Sequence, residues 1–220
     1  MKPLPLLLVL LGLALPVLAL ARPAPPQEAA AAPADQEAEK KIRNVLAELD
    51  LDRRGNMNVP VEDGRLLYVL ARASGAKAVV EIGTSNGYSG LWLALAMRET
   101  GGHLTTFEID PERAAAAERN FARAGVADLV TIVRGDAHEK VSELSEPLDL
   151  VFLDADKPGY VDYLQKLRPR VRSGGLILAH NMKSPPPDPR YVEAITTDPA
   201  FETLFLHMEG AGMGVTLKRR

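Results

Sequence analysis

Apolar positions along this chain fall into two rhythms. From Ala76 onward, short continuous apolar runs stand at Ala78–Ile82, His103–Ile109, Leu129–Val133, Leu148–Leu153 and Gly175–His180. Longer stretches with helical spacing separate them, at Ser89–Arg98, Pro111–Ala124, Ala137–Glu143 and Tyr160–Arg170. Unbroken apolar strands alternating with helices predict a parallel sheet covered on both faces. Ahead of the first strand, Ile42, Val45, Leu46 and Leu49 recur at helical spacing between Gln36 and Leu51. A polar loop, Asp52 to Asn58, follows, and Pro60 then opens a second helix with Leu66, Leu67, Val69 and Leu70 on its apolar side. After Pro185-Pro186-Pro187 the pattern gives a helix from Arg190 to Thr197 and two strands, Thr203–Met208 and Met213–Lys218. A glycine-containing turn joins this last pair as an antiparallel edge. The fold class is α/β: a doubly wound, mostly parallel sheet with an antiparallel C-terminal edge.

The N-terminus departs from this pattern. Lys2 precedes an apolar run from Leu4 to Leu20 that ends in Ala19-Leu20-Ala21, the make-up of a secretory signal peptide over residues 1–21. The expectation is an exported protein, periplasmic or secreted, with no stable membrane partner once the signal is cleaved. An uncleaved anchor is the alternative, although Pro16 interrupts a run already marginal for a bilayer. Residues 22–35 are rich in Ala and Pro and read as a linker, leaving residues 36–220 as the domain.

Composition narrows the chemistry. With 26 Lys and Arg against 29 Asp and Glu, the chain lacks the positive excess of a nucleic-acid-binding surface. It has no cysteine, which excludes disulfides, thiolate metal sites and cysteine nucleophiles. Small-molecule chemistry is the expectation, and a homodimer is compatible with it.

The first strand runs into Glu81-Ile82-Gly83-Thr84-Ser85-Asn86-Gly87-Tyr88-Ser89-Gly90. Glycines let backbone N–H groups approach a ligand, and a helix starting near Ser89 adds a positive dipole end. A dinucleotide fingerprint requires a second glycine to admit the pyrophosphate, and Ser85 occupies that position. The spacing of Glu81, Gly83 and Gly87 instead resembles the first motif of S-adenosylmethionine-dependent methyltransferases. Glu108 ends the second strand where this fold places a carboxylate for ribose hydroxyls. Asp110, directly before Pro111, is better suited to capping the next helix. Asp136, with Ala137 beside it, offers a carboxylate for an adenine amino group at the end of the third strand, although a solvated loop aspartate would look the same.

Asp154-Ala155-Asp156-Lys157 ends the fourth strand and His180-Asn181 the fifth. Together with the run from Glu81 to Ser89, Phe107-Glu108-Ile109-Asp110-Pro111 and the closing Gly212-Met213-Gly214-Val215-Thr216, these segments resemble the cation-dependent O-methyltransferases of the catechol and caffeoyl-CoA type, including their bacterial relatives. The resemblance covers the chain from about Asn56 to its end. It implies a Rossmann-like class I methyltransferase fold, S-adenosylmethionine as cofactor and a small, phenolic or catechol-like hydroxyl acceptor. It also implies Val59, Glu81, Gly83, Ser89, Glu108 and Asp136 or Ala137 around the cofactor. Lys157 would take the acceptor proton, and Asp154 and Asn181 would match metal ligands.

One departure concerns the metal. The family's usual Asp-Asn pair is His180-Asn181 here. Imidazole for carboxylate removes a negative charge and a hard oxygen, which weakens magnesium and leaves manganese, zinc or iron as candidates on Asp154, His180 and Asn181, with a metal-free site as the alternative. Of the remaining residues, His138 and His207 read as lone surface or core histidines and Trp92 as core. Tyr160 and Tyr163 read as helix packing, with Tyr160 the alternative rim of an acceptor pocket. The competing functions are an NAD(P)-dependent oxidoreductase, which shares the sheet and the ribose carboxylate, and a non-catalytic binding domain.

Overall fold

The computed structural model describes residues 33–51, 58–144, 147–207 and 210–219. The expected signal peptide, linker residues 22–32 and nearly all of the polar loop after Leu51 lie outside the described residues. The chain order is α1 (Pro33–Leu51), α2 (Val61–Ala73), β1 (Ala78–Ile82), α3 (Tyr88–Thr100), β2 (His103–Glu108), α4 (Pro111–Ala124), β3 (Val130–Arg134), α5 (Ala137–Lys140), β4 (Leu148–Leu153), α6 (Tyr160–Leu167), β5 (Val171–His180), α7 (Pro189–Thr197), β6 (Phe201–Leu206) and β7 (Met213–Lys218).

Seven strands form one sheet in the order β3-β2-β1-β4-β5-β7-β6. The first five are parallel, and β7 inserts antiparallel between β5 and β6. The two-residue period of a strand sends alternate side chains to opposite faces. In β4, Leu150 and Phe152 join a core with α1 to α4, whereas Val151 and Leu153 join one with α6 and α7. Both faces are therefore dry, which is why these strands read as continuous apolar runs.

Several boundaries move. Helix α1 starts at Pro33, three residues ahead of Gln36, because proline suits the first turn, where its missing N–H costs no hydrogen bond. Helix α6 stops at Leu167, and residues expected to extend it turn into β5, which starts at Val171 and runs ten residues. Val69 is 53% exposed rather than on the apolar side of α2. The buried stripe of that helix runs through Asp63, Gly64, Leu67 and Ala71, positions i, i+1, i+4 and i+8 of one face, so an acid lies on its inner face.

The sequence runs outward from β1 through β2 to β3, then returns to β4 on the other side of β1 and runs outward to β5. The order reverses between β1 and β4, and the crevice beyond their carboxyl ends is where such sheets bind ligands.

Candidate active site

The carboxyl edge of the sheet carries the expected residues in spatial order: Asp136 after β3, Glu108 on β2, Gly83 after β1, Asp154 and Lys157 after β4, His180 and Asn181 at β5. At about 4.8 Å per strand, that row spans roughly 19 Å. A cavity of about 900 Å³ opens along it, within the range of small-ligand and cofactor sites. Val59, Gly83, Ser85, Ser89, Ala137 and the named residues of the row all line it. Glu81 and Gly87 do not; they stand one layer behind the wall.

The loop after β1 is pinned from both sides. Gly83 has φ 103°, and a Cβ there would run into the Asp154 carbonyl oxygen, so only glycine lets β1 lie against the end of β4. Ser85 takes a left-handed φ of 50° and donates its N–H to Glu108 Oε2 at 2.7 Å. The N–H of Asp110 donates to Glu108 Oε1 at 3.0 Å. Each Glu108 oxygen keeps a further lone pair for a ligand hydroxyl. Asp110 itself caps α4 through the N–H groups of Glu112 and Arg113.

Glu81 is fully buried. The hydroxyls of Ser89 and Thr106 donate to its two oxygens, each at 2.6 Å. Thr106 has one proton and gives it to Glu81, so Thr84 donates to Thr106. Burial drives the carboxyl pKa up, the two hydroxyls hold it down, and Asp154 and Glu108 raise it again, leaving it at about 7.

At the other end, Lys157 Nζ donates to Asp154 Oδ1 at 2.9 Å and to the Tyr160 hydroxyl at 2.8 Å. The Tyr160 O–H in turn donates to the Leu153 carbonyl. His180 is buried with Nδ1 3.2 Å from Asp154 Oδ1 and Nε2 3.0 Å from Asp63 Oδ2. Burial works against its charged form, but the hydrogen bonds to Asp154 and Asp63 outweigh that and raise its pKa to about 9. Asp136 caps α5 by accepting the His138 N–H.

The model of the O-methyltransferase family matches residues 27–183. The chain belongs to that family. Among relatives, a catechol O-methyltransferase of Niastella koreensis is 37% identical over 163 residues, covering 72% of this chain and 71% of that one. A probable O-methyltransferase of Mycobacterium tuberculosis is 44% identical over 119 residues, 53% of each chain. The solved structure of the O-methyltransferase TomG from Streptomyces achromogenes, in complex with SAM, superposes with a TM-score of 0.69 at 29% identity, over 84% of this chain and 90% of that one. The sheet is therefore a Rossmann-like methyltransferase sheet, and the oxidoreductase reading is not favoured.

In this O-methyltransferase the cavity and its surround hold residues that the sequence either did not mark or marked as packing. Asp63 reads in sequence as an acid in the first turn of a helix, where the dipole favours it. The available signal was its position four residues before Leu67, on the buried stripe. His138 lines the cavity, stacks on Tyr163 at 4.2 Å and meets Asp162 through Nδ1 at 2.5 Å. Of Tyr160 and Tyr163 it is Tyr163 that lines the cavity, its hydroxyl donating to Asp156, whereas Tyr160 lies under Lys157. Trp92 is core, as expected.

The resemblance implies a divalent ion, which needs free lone pairs on its ligands. Asp154 Oδ1 already faces Lys157 and His180, and both His180 nitrogens face carboxylates. Asn181 donates its amide nitrogen toward the Ser184 carbonyl and keeps Oδ1, one neutral oxygen beside an imidazole with no free nitrogen. Among the described residues, no three His, Asp or Glu side chains converge as a metal cradle. The donors present do not fit the ion.

Proposed function

We propose that this O-methyltransferase takes its methyl group from S-adenosylmethionine and gives it to a hydroxyl of a small phenolic acceptor, with Lys157 as the base. One observation carries the reading: Lys157, braced by Asp154 and Tyr160, stands in the same cavity as the glycine loop on the neighbouring strand and as Glu108, two strands away along the sheet edge. That spacing suits a nucleoside held at one end and an oxygen nucleophile at the other. The relative named a catechol O-methyltransferase and the SAM-bound TomG structure support the acceptor and cofactor classes.

When bound, S-adenosylmethionine supplies a sulfonium methyl, already electrophilic. Glu108 would hold the ribose hydroxyls on the lone pairs left by the Ser85 and Asp110 N–H groups, and Asp136 and Ala137 would hold the adenine. A phenol, with a pKa of roughly 10, is a poor nucleophile at neutral pH. Lys157 would accept its proton, leaving the phenolic oxygen a nucleophile for the methyl group that the bound sulfonium would supply. Asp154, 2.9 Å away, holds the ammonium that results. The remaining task is alignment, which a walled cavity provides.

Two measurements test this. Calorimetry should register S-adenosylmethionine and no nicotinamide dinucleotide; the reverse sinks the cofactor. In a methyl-transfer screen over phenols, Lys157→Ala should lower kcat by about 100- to 10,000-fold with cofactor affinity unchanged. Unchanged turnover removes Lys157 as base.

A further inference from the structure

The pair His180 and Asp63 does something the methyl-transfer reading leaves unexplained. Asp63 is fully buried on the inner face of α2, 117 residues from His180 in sequence, and its Oδ2 is 3.0 Å from His180 Nε2. Its other oxygen, Oδ1, is buried with no hydrogen-bond partner among the described residues. His180 is thus the group that compensates this carboxylate, and an uncompensated buried carboxylate is strongly destabilising. On its other side, His180 faces Asp154 Oδ1, the oxygen that also receives Lys157.

We propose that the Asp63–His180–Asp154 bridge takes the place of the divalent cation, so that this enzyme positions Lys157 and transfers methyl groups without metal and accepts phenols with a single hydroxyl. Carboxylate oxygens only accept hydrogen bonds, so a ring between two of them donates from both nitrogens and has no lone pair for a metal. The charges close once Lys157 has taken the acceptor's proton: Asp63 and Asp154 are then matched by His180 and Lys157, and the one negative charge outstanding before that favours the transfer. An aspartate at position 180 would instead leave three carboxylates around one lysine, a deficit that a dication balances. A single hydroxyl suffices because no ion is present for a neighbouring oxygen to chelate. In this arrangement Asp63 is a positioning residue: it acts through His180 on Asp154 and Lys157.

This inference rests on the O-methyltransferase reading with Lys157, and its first test is independent of turnover. Manganese is titrated into metal-stripped protein, with and without S-adenosylmethionine, and followed by calorimetry and by the spin resonance of the ion. Wild type should show no saturable site, and His180→Asp should gain one. A one-to-one wild-type site that Asp154→Asn abolishes overturns the proposal. Failure of S-adenosylmethionine to bind in its own titration would count against the cofactor reading instead, leaving the manganese result standing. The second test is turnover of monohydroxy phenols by chelator-treated enzyme. Full turnover is expected; activity confined to vicinal diols plus manganese overturns the proposal. Asp63→Asn should cost about 10- to 100-fold in kcat, unrestored by manganese and with cofactor affinity unchanged. Equal loss of cofactor affinity would make Asp63 merely structural.

Discussion

Glu81 shows how a single buried side chain ties stability to pH. Its carboxyl has an ordinary value of 4.5 when the chain is unfolded and about 7 in the fold, mainly from burial, with Asp154 and Glu108 adding to the rise and Ser89 and Thr106 opposing it. Between those values the folded protein holds a proton that the unfolded chain has released. Stability from this group therefore falls as pH rises from about 4.5 to 7 and is level above that. The fall is on the order of 3 kcal/mol. Urea melts across pH should show it in wild type and not in Glu81→Gln, whose difference from wild type should change by that amount over the same window. A constant difference would mean that Glu81 is ionised throughout.

Among the elements, α4 is the clearest case of local sequence setting local structure. Asp110 accepts two backbone N–H groups at the start of the helix, Pro111 takes the first position, and Gly125 closes the other end with a left-handed φ of 71°. Cap, proline and closing glycine are all short-range signals. Those N–H groups hold the Asp110 carboxyl below its usual range. Asp110→Ala should cost about 1 kcal/mol in thermal or urea unfolding, while the affinity for S-adenosylmethionine stays unchanged. A loss of affinity would place Asp110 in the cofactor site rather than at a cap. Helix α2 is the contrasting case. Its periodicity was legible, but its phase was not: Val69 faces out and Asp63 faces in, because what packs against it is α3 from elsewhere in the chain.

For the whole molecule, the energetic centre is the inner strands. Leu150 of β4 is fully buried between helices and neighbouring strands, whereas Leu204 on edge strand β6 is 52% exposed. Leu150→Ala should lose about 2–5 kcal/mol, and Leu204→Ala should stay within about 0.5 kcal/mol of wild type; equilibrium unfolding compares them. Similar losses at both positions would contradict the described sheet order.

The existence and type of nearly every element in the domain could be read from the chain, since strand period, helix period and caps are local properties. So could the identity of the loop after β1, because Gly83, Ser85 and Gly87 report backbone demands directly. The partners of His180 could not. Asp63 and Asp154 reach it from a helix and a strand far apart in sequence, and the spacing of residues says nothing about which side chains meet across a sheet edge. The tertiary structure alone decided that the imidazole stands between two carboxylates, because only packing brings groups of opposite charge together out of water.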